Sequence, residues 1–140
     1  MKRIGVLTSG GDAPGLNACL RAVVRTALNR RLEIFGIRRG FKGLLDNEFL
    51  PLNGRSVSGI INQGGTILHT ARDEEFRAPA GIRKASRVLA RRRLDGLMVL
   101  GGNGSLKGAW ELGGKTRTAI LGIPKSIDND VGGTDFSIGF

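Results

Sequence analysis

An α/β fold, a parallel sheet sandwiched by helices, is predicted by three observations. Short apolar runs alternate with segments of helical periodicity, glycine-rich turns follow the apolar runs, and no internal repeat, low-complexity tract or linker breaks the pattern. The 140 residues suit one domain or part of one, large enough for a real core.

Residues 3–8 read as a buried first strand. The stretch SGGDAPGLN, Ser9 to Asn17, follows as a loop, and a helix is expected up to about Arg30. Its Leu16, Leu20, Val23, Val24, Ala27 and Leu28 recur at helical spacing, with Asp12 as the expected cap and Pro14 in the first turn. Residues 32–38 are expected to form the second strand. From Phe41 to Leu52 the chain divides around Asp46-Asn47-Glu48 and reads as a small hairpin outside the main sheet. A short helix is expected around Val57–Ile61, before NQGGT at 62–66. Pro79 should open a helix running to Arg93, residues 96–100 a strand, and a further helix should end near Leu112. A last strand over 119–123 is expected to stop at Pro124. Strands alternating with helices in this way give a Rossmann-like parallel sheet.

The bulk properties narrow the function classes. A hydrophobic content of 40% argues against disorder, and no stretch approaches the roughly 20 apolar residues of a membrane span. The apolar run after Met1-Lys2-Arg3 is too short for a secretory signal. The single cysteine, Cys19, excludes an internal disulfide framework, suits a reducing cytoplasm and lies in an apolar helical stretch where packing is its expected role. A net charge of +10 points to polyanionic partners, either phosphorylated small molecules or nucleic acid. One Trp, no Tyr and six Phe that do not interleave with the basic runs argue against stacked bases. The run Arg91-Arg92-Arg93 ends a helix, where cations complement the dipole.

Ligands of such a sheet bind beyond the carboxyl ends of its strands. Three glycine-rich or polar segments fall there, at 9–15, 101–105 and 124–130. Glycine lets main-chain N–H groups approach phosphate oxygens, and a following helix N-terminus adds positive potential. A glycine turn also serves packing alone, and neither a Walker loop nor a GxGxxG fingerprint is present; three such segments at equivalent strand ends favour phosphate binding. PKSIDND sets Asp128 and Asp130 two residues apart with Lys125 upstream. One carboxylate can act as a general base and the other near a metal, the division of labour phosphoryl transfer needs, although a polar turn would use the same residues.

GVLTSGGDAPGLN, INQGGT with Ala71-Arg72 after it, GGNGS, and PKSIDND with GTDFSIGF occur in the order and spacing of the 6-phosphofructokinase family, which the whole chain resembles. That family transfers the terminal phosphoryl group of a donor to the 1-hydroxyl of fructose 6-phosphate, in the cytoplasm, as a homo-oligomer. The resemblance implies that Asp128 is the general base and that Asp130 organises magnesium. Gly11 would approach the donor phosphates through its backbone, and Arg72 would grip them. Gly102, Asn103, Gly104 and Ser105 would line the nucleotide, Lys125 would act on the donor and transition state, and Ser126 would contact the acceptor together with Asp128. Glycine at 104 goes with ATP in the family, because an acidic side chain there crowds the nucleotide. Lys125 is common among pyrophosphate users. Steric exclusion is the harder constraint, so ATP is the expected donor and pyrophosphate the alternative.

The chain departs from the family pattern in three places. Asn103 stands where the family has an aspartate touching magnesium, and keeps one carbonyl oxygen without the charge. Arg21 and Arg25 match effector-binding arginines and share a helix face, but the position of their usual partner holds Gly54, with Arg55 beside it. Family subunits are considerably longer, and their sugar-phosphate arginines, histidine and glutamate fall beyond this match. The resemblance therefore implies the donor-binding part of the enzyme, inactive on fructose 6-phosphate by itself. Two rivals stand beside it. An NAD-kinase-like protein would share a GGDG-type loop but not PKSIDND, and a non-catalytic nucleotide- or nucleic-acid-binding module would account for the charge and Asn103.

Overall fold

The computed structural model describes residues 2–140. Its elements in chain order are β1 (Arg3–Thr8), α1 (Leu16–Asn29), β2 (Glu33–Ile37), α2 (Gly40–Leu45), β3 (Phe49–Pro51), α3 (Glu74–Arg77), α4 (Pro79–Arg91), β4 (Gly96–Gly101), α5 (Asn103–Gly113) and β5 (Ala119–Pro124). The strands form one sheet in the order β3-β2-β1-β4-β5, parallel throughout except for β3, which runs antiparallel to β2. Among the described residues no helix is long and apolar enough to cross a membrane.

Alternation along the strands divides the core into two layers. Val6, Ile34 and Leu100 face α1, whose Leu16, Leu20, Val24 and Ala27 are buried against them. Leu7, Ile37, Leu97 and Val99 face the opposite way, onto α2, α4 and α5. The crossovers β1-α1-β2 and β4-α5-β5 run outward from the sheet centre in opposite directions. The topological switch therefore falls between β1 and β4, where a ligand crevice opens in such sheets.

Three local expectations are corrected. Residues 41–52 do not form a hairpin outside the sheet: Gly40–Leu45 is a helix, and Phe49–Pro51 pairs with β2 inside the main sheet. The apolar positions Phe41, Leu44 and Leu45 have helical rather than alternating spacing, and all three are buried in the second layer. The reversal is made by Arg39 and Gly40, both at positive φ (57° and 61°), and Arg39 is tied to Asp46 and Glu48. Residues 57–61 form successive turns and not a helix. Asn53 Oδ1 accepts the amides of Arg55 and Ser56 at 2.9 and 3.1 Å, which bends the chain, while Val57 and Ile60 anchor the turns in the core. Asp12 does not cap α1. The helix starts at Leu16 behind Gly15, which is left-handed at φ 90° with no side-chain cap, and Pro14 lies in the turn before it.

Pro124 closes β5 from within, paired with Gly101. Lys125 N–H bonds Gly101 O and Ala119 N–H bonds Asp95 O, so the odd positions of β5 face β4. The missing N–H of Pro124 thus points away from the ladder, as proline in an edge strand requires.

Candidate functional site

The carboxyl ends of β1, β4 and β5 are adjacent, so the loops that follow them meet. Ser9 N–H bonds Leu100 O at 2.8 Å and Ser105 Oγ bonds Ser9 Oγ at 2.9 Å, joining the first two loops. Asn103 Nδ2 donates to Asp130 O at 3.0 Å, and the Lys125 ammonium donates to Gly11 O, drawing in the third. A cleft of about 960 Å³ opens above them, lined among others by Gly11, Arg72, Asn103, Gly104, Ser105 and Lys125. Gly102 lines it as well. The phosphate-loop residues expected from the sequence are therefore brought together.

Two glycines of this cleft are unexplained by the protein's own packing. A Cβ added to Gly11 or to Gly104 would meet no atom within 4 Å, and neither residue has positive φ. Gly101 is different, because its Cβ would fall 2.5 Å from that of Ser105. Gly101 is glycine for packing. Gly11 and Gly104 place no side chain in open space at the cleft wall, which suits close approach of an anion to the main chain.

Charge supports the same occupant. The N-terminus of α5 lies in the cleft wall, its cap Gly102 provides no side-chain bond, and its first turn holds no acid. Lys125 is only 6% exposed and forms no salt bridge among the described residues. Burial pushes its ammonium below the ordinary lysine range, and the nearby Asp12 carboxylate partly opposes that shift. A buried cation held by one carbonyl gains from a phosphate oxygen. Arg72 is exposed at the rim with no ion pair among the described residues.

Arg72 is delivered by residues that the sequence reading passed over. Asn17, buried on α1, donates through Nδ2 to Gln63 O and Gly64 O at 3.1 and 3.2 Å and accepts Ile67 N–H at 2.8 Å. Thr8 Oγ1 lies 2.9 Å from Thr66 Oγ1 and donates to His69 O at 3.2 Å. Together they staple segment 62–69 to the end of β1, just before Ala71-Arg72. The available signal was a polar Asn beside Leu16 at the start of an apolar helix face. Phe41 and Phe76, stacked with centroids 3.8 Å apart, also line the cleft, as do Lys107 and Arg77. None of these four is marked by a motif, because chain segments far apart in sequence supply them.

Ser126, Asp128 and Asp130 stand on the adjoining loop and do not line the cleft itself. Ser126 Oγ donates to Asp130 Oδ1 and accepts Asp128 N–H, while Asn129, at φ 50°, accepts Ser137 N–H at 2.9 Å and donates to Asp135 O. These bonds fold PKSIDND back on SIGF and leave the Asp128 carboxylate exposed without a hydrogen-bond partner among the described residues. No group of three or more His, Cys, Asp or Glu able to hold a metal occurs among the described residues. Magnesium carried by donor phosphates needs only one or two protein oxygens, and Asp130, tied to Asn103 through its main-chain oxygen and keeping Oδ2 free of hydrogen bonds among the described residues, can supply one. Away from the cleft, Arg21 Nη1 donates to Val57 O at 2.7 Å, and Arg25 approaches the turn at Gly54.

Comparison with known proteins agrees with this geometry. The family model described as Phosphofructokinase matches residues 3–140. The ATP-dependent 6-phosphofructokinase of Persephonella marina is 51% identical over all 140 residues, which make up 43% of its length. The structure of phosphofructokinase from Saccharomyces cerevisiae superposes with a TM-score of 0.88 at 39% identity, over 99% of this chain and 22% of that one. A pyrophosphate-dependent phosphofructokinase from Marinobacter aquaeolei shares the fold, with a TM-score of 0.88 at 21% identity over 100% of this chain and 37% of its own. The chain spans less than half the length of the curated relatives it matches.

Proposed function

The chain belongs to the phosphofructokinase family, and from that premise we propose that residues 1–140 form the phosphoryl-donor part of a cytoplasmic 6-phosphofructokinase. The donor is ATP. Completed by the remainder of a family subunit, in a homo-oligomer, the chain transfers the terminal phosphoryl group to the 1-hydroxyl of fructose 6-phosphate. The observation that carries this reading is the pair Gly11 and Gly104, bare of packing partners, beside the buried ammonium of Lys125.

In the reaction the hydroxyl oxygen of the acceptor bonds to the terminal phosphorus. The bond from that phosphorus to the oxygen of ADP breaks, and the hydroxyl proton passes to the Asp128 carboxylate. Ser126 contacts the acceptor. Lys125, Arg72, Gly11 N–H and the N-terminus of α5, from Gly102 through Ser105, hold the donor phosphates and offset the charge that spreads over them. Asp130 and Asn103 would hold magnesium, which supplies charge neutralisation when bound with the donor. Arg21 and Arg25 would receive an anionic effector beside the 54–57 turn.

Gly104 supports ATP over pyrophosphate, since a side chain at that position would project into the space left for the nucleotide. The relatives named ATP-dependent support the same choice. Calorimetric titration of this chain with magnesium-ATP should give one site per chain, and Gly104→Asp should weaken ATP at least tenfold while leaving pyrophosphate nearly unchanged. Equal losses for both ligands would remove the steric argument. Tighter binding to RNA or DNA than to ATP, with a steep salt slope, would favour the nucleic-acid reading instead.

A further inference from the structure

α4 turns a face of unbalanced charge to solvent. Its 13 residues include Arg83, Lys84, Arg87 and Arg91 and no acid. Ile82, Ala85, Val88 and Leu89 hold the helix in the core, and the opposite side carries Arg83, Arg87, Ala90 and Arg91, all exposed. Both flanks are occupied: Lys84 pairs with Glu75 at 2.9 Å on one, and on the other Ser86 Oγ donates to Lys115 O at 2.6 Å. α4 thus packs among α2, α3 and α5 in the middle of its layer, and its outward face does not depend on how the β5 edge is covered. Arg83, Arg87 and Arg91 form no ion pair among the described residues. Glu111, which shares a cleft with Arg83, lies beyond ion-pair distance.

Ordinary surface chemistry does not account for this row. A solvated helix face gains from opposite charges four residues apart, and like charges at that spacing repel. The helix dipole explains a cation in the last turn, hence Arg91, but not Arg87 and Arg83, one and two turns earlier. The three guanidinium groups follow one another at about 6 Å along the axis. Successive phosphates of a nucleic-acid strand repeat at a similar interval. Between Arg87 and Arg91 a shallow groove of about 390 Å³ is floored by Ala90, room for a phosphate flanked by two guanidinium forks. Apart from arginine the face carries only Ala80 and Ala90, so it offers no ring to stack a base, no wedge to enter a membrane and no apolar anchor for a protein. We propose that the outer face of α4 docks the phosphate backbone of a nucleic-acid double helix, without reading its sequence. None of the three arginines lines the donor cleft, so the inference is independent of the donor reading, and ATP and a duplex bind together.

The test is fluorescence anisotropy of this chain with short labelled RNA and DNA duplexes of unrelated sequence, over a range of salt. Binding is expected to all of them, undisturbed by saturating magnesium-ATP, with a slope of log K against log salt of about −2.7, or roughly −0.9 for each of three phosphates. Arg83→Glu combined with Arg87→Glu should weaken the duplexes at least tenfold and leave ATP affinity and melting temperature unchanged. Arg87→Gln alone, a milder change, should make the slope shallower by about 0.9. Arg30→Glu combined with Arg31→Glu removes the same charge from the exposed end of α1 and should cost far less than the α4 pair. The proposal is overturned if the two double variants weaken binding equally, since net charge alone would then act. It is also overturned if ATP displaces the duplex, if single strands bind more tightly than duplexes, or if vesicles of anionic phospholipid bind the α4 face more tightly than either duplex.

Discussion

Burial of the Lys125 ammonium under the β1 loop makes one residue sensitive to both pH and ligand. Its folded pKa lies below the ordinary 10.5 because the charged form loses hydration, an effect that Asp12 only partly offsets. Below the folded pKa both folded and unfolded chains hold the proton and the desolvation penalty is fully present. As pH rises toward 10.5 the unfolded chain holds more protons, so the contribution of Lys125 to stability rises. A bound phosphate should reverse the shift. ATP binding in that window is therefore expected to take up protons, measurable by calorimetry in buffers of different ionisation enthalpy. Lys125→Met should abolish the uptake; uptake that persists would assign it to another group.

Asn103 is a second residue whose role the structure redefines. Its amide donates to Asp130 O, a bond an aspartate cannot make, and that tie links the loops after β4 and β5. Asn103→Asp should weaken metal-free ATP binding by about 1 kcal/mol through loss of the tie. It should also increase the gain in affinity that magnesium gives, because a carboxylate replaces a neutral ligand oxygen. ATP affinity of both variants, with and without magnesium, reads the two effects separately. An unchanged magnesium effect would place position 103 away from the metal.

Among the elements, α1 does more than cover the sheet. Leu16, Leu20, Val24 and Ala27 hold it on β1 and β2, and Asn17, one residue from Leu16, uses both ends of its amide to fix segment 62–69. Asn17→Ala would leave Ile67 N–H and two carbonyls without their protein partner. It should destabilise the fold by about 1–3 kcal/mol. Because that segment leads to Arg72, ATP affinity should fall as well. Denaturant unfolding and ATP titration of the same variant test both links, and a stability loss with unaltered affinity would separate Arg72 from the staple. The replaced hairpin teaches the complementary lesson. Phe41, Leu44 and Leu45 already showed helical spacing, and the polar Asp46-Asn47-Glu48 turn drew the reading toward two strands.

At the scale of the molecule, the residues proposed to hold the donor and to act as base stand at one end of the sheet, while the β5 side lacks cover. The 140-residue chain alone is therefore expected to bind ATP without phosphorylating fructose 6-phosphate detectably. Orientation of two reactants contributes roughly 7–11 kcal/mol in well-placed cases, and only Ser126 and Asp128 are proposed to address the sugar. A coupled assay on the verified 140-residue chain reads this directly. Robust turnover would show that the acceptor is gripped within these residues.

The parallel α/β class, the positions of β1, β4 and β5 and the three loops beyond them were legible in the sequence, because they rest on local periodicity and on glycine and proline punctuation. The loop motifs likewise marked Gly11, Gly102–Ser105 and Lys125, whose convergence follows once parallel strands are placed side by side. Sequence alone did not decide which glycines serve packing: Gly101 and Gly104 read alike, and only the neighbouring atoms show that Ser105 crowds one and nothing meets the other. Nor did it give the staple from Asn17 to Ile67, the stacking of Phe41 on Phe76, the burial of Lys125 or the open edge of β5. Each of those depends on segments tens of residues apart, or on which strand happens to be last. Local pattern fixes how a segment folds; what lies against it is settled by contacts that no single stretch contains.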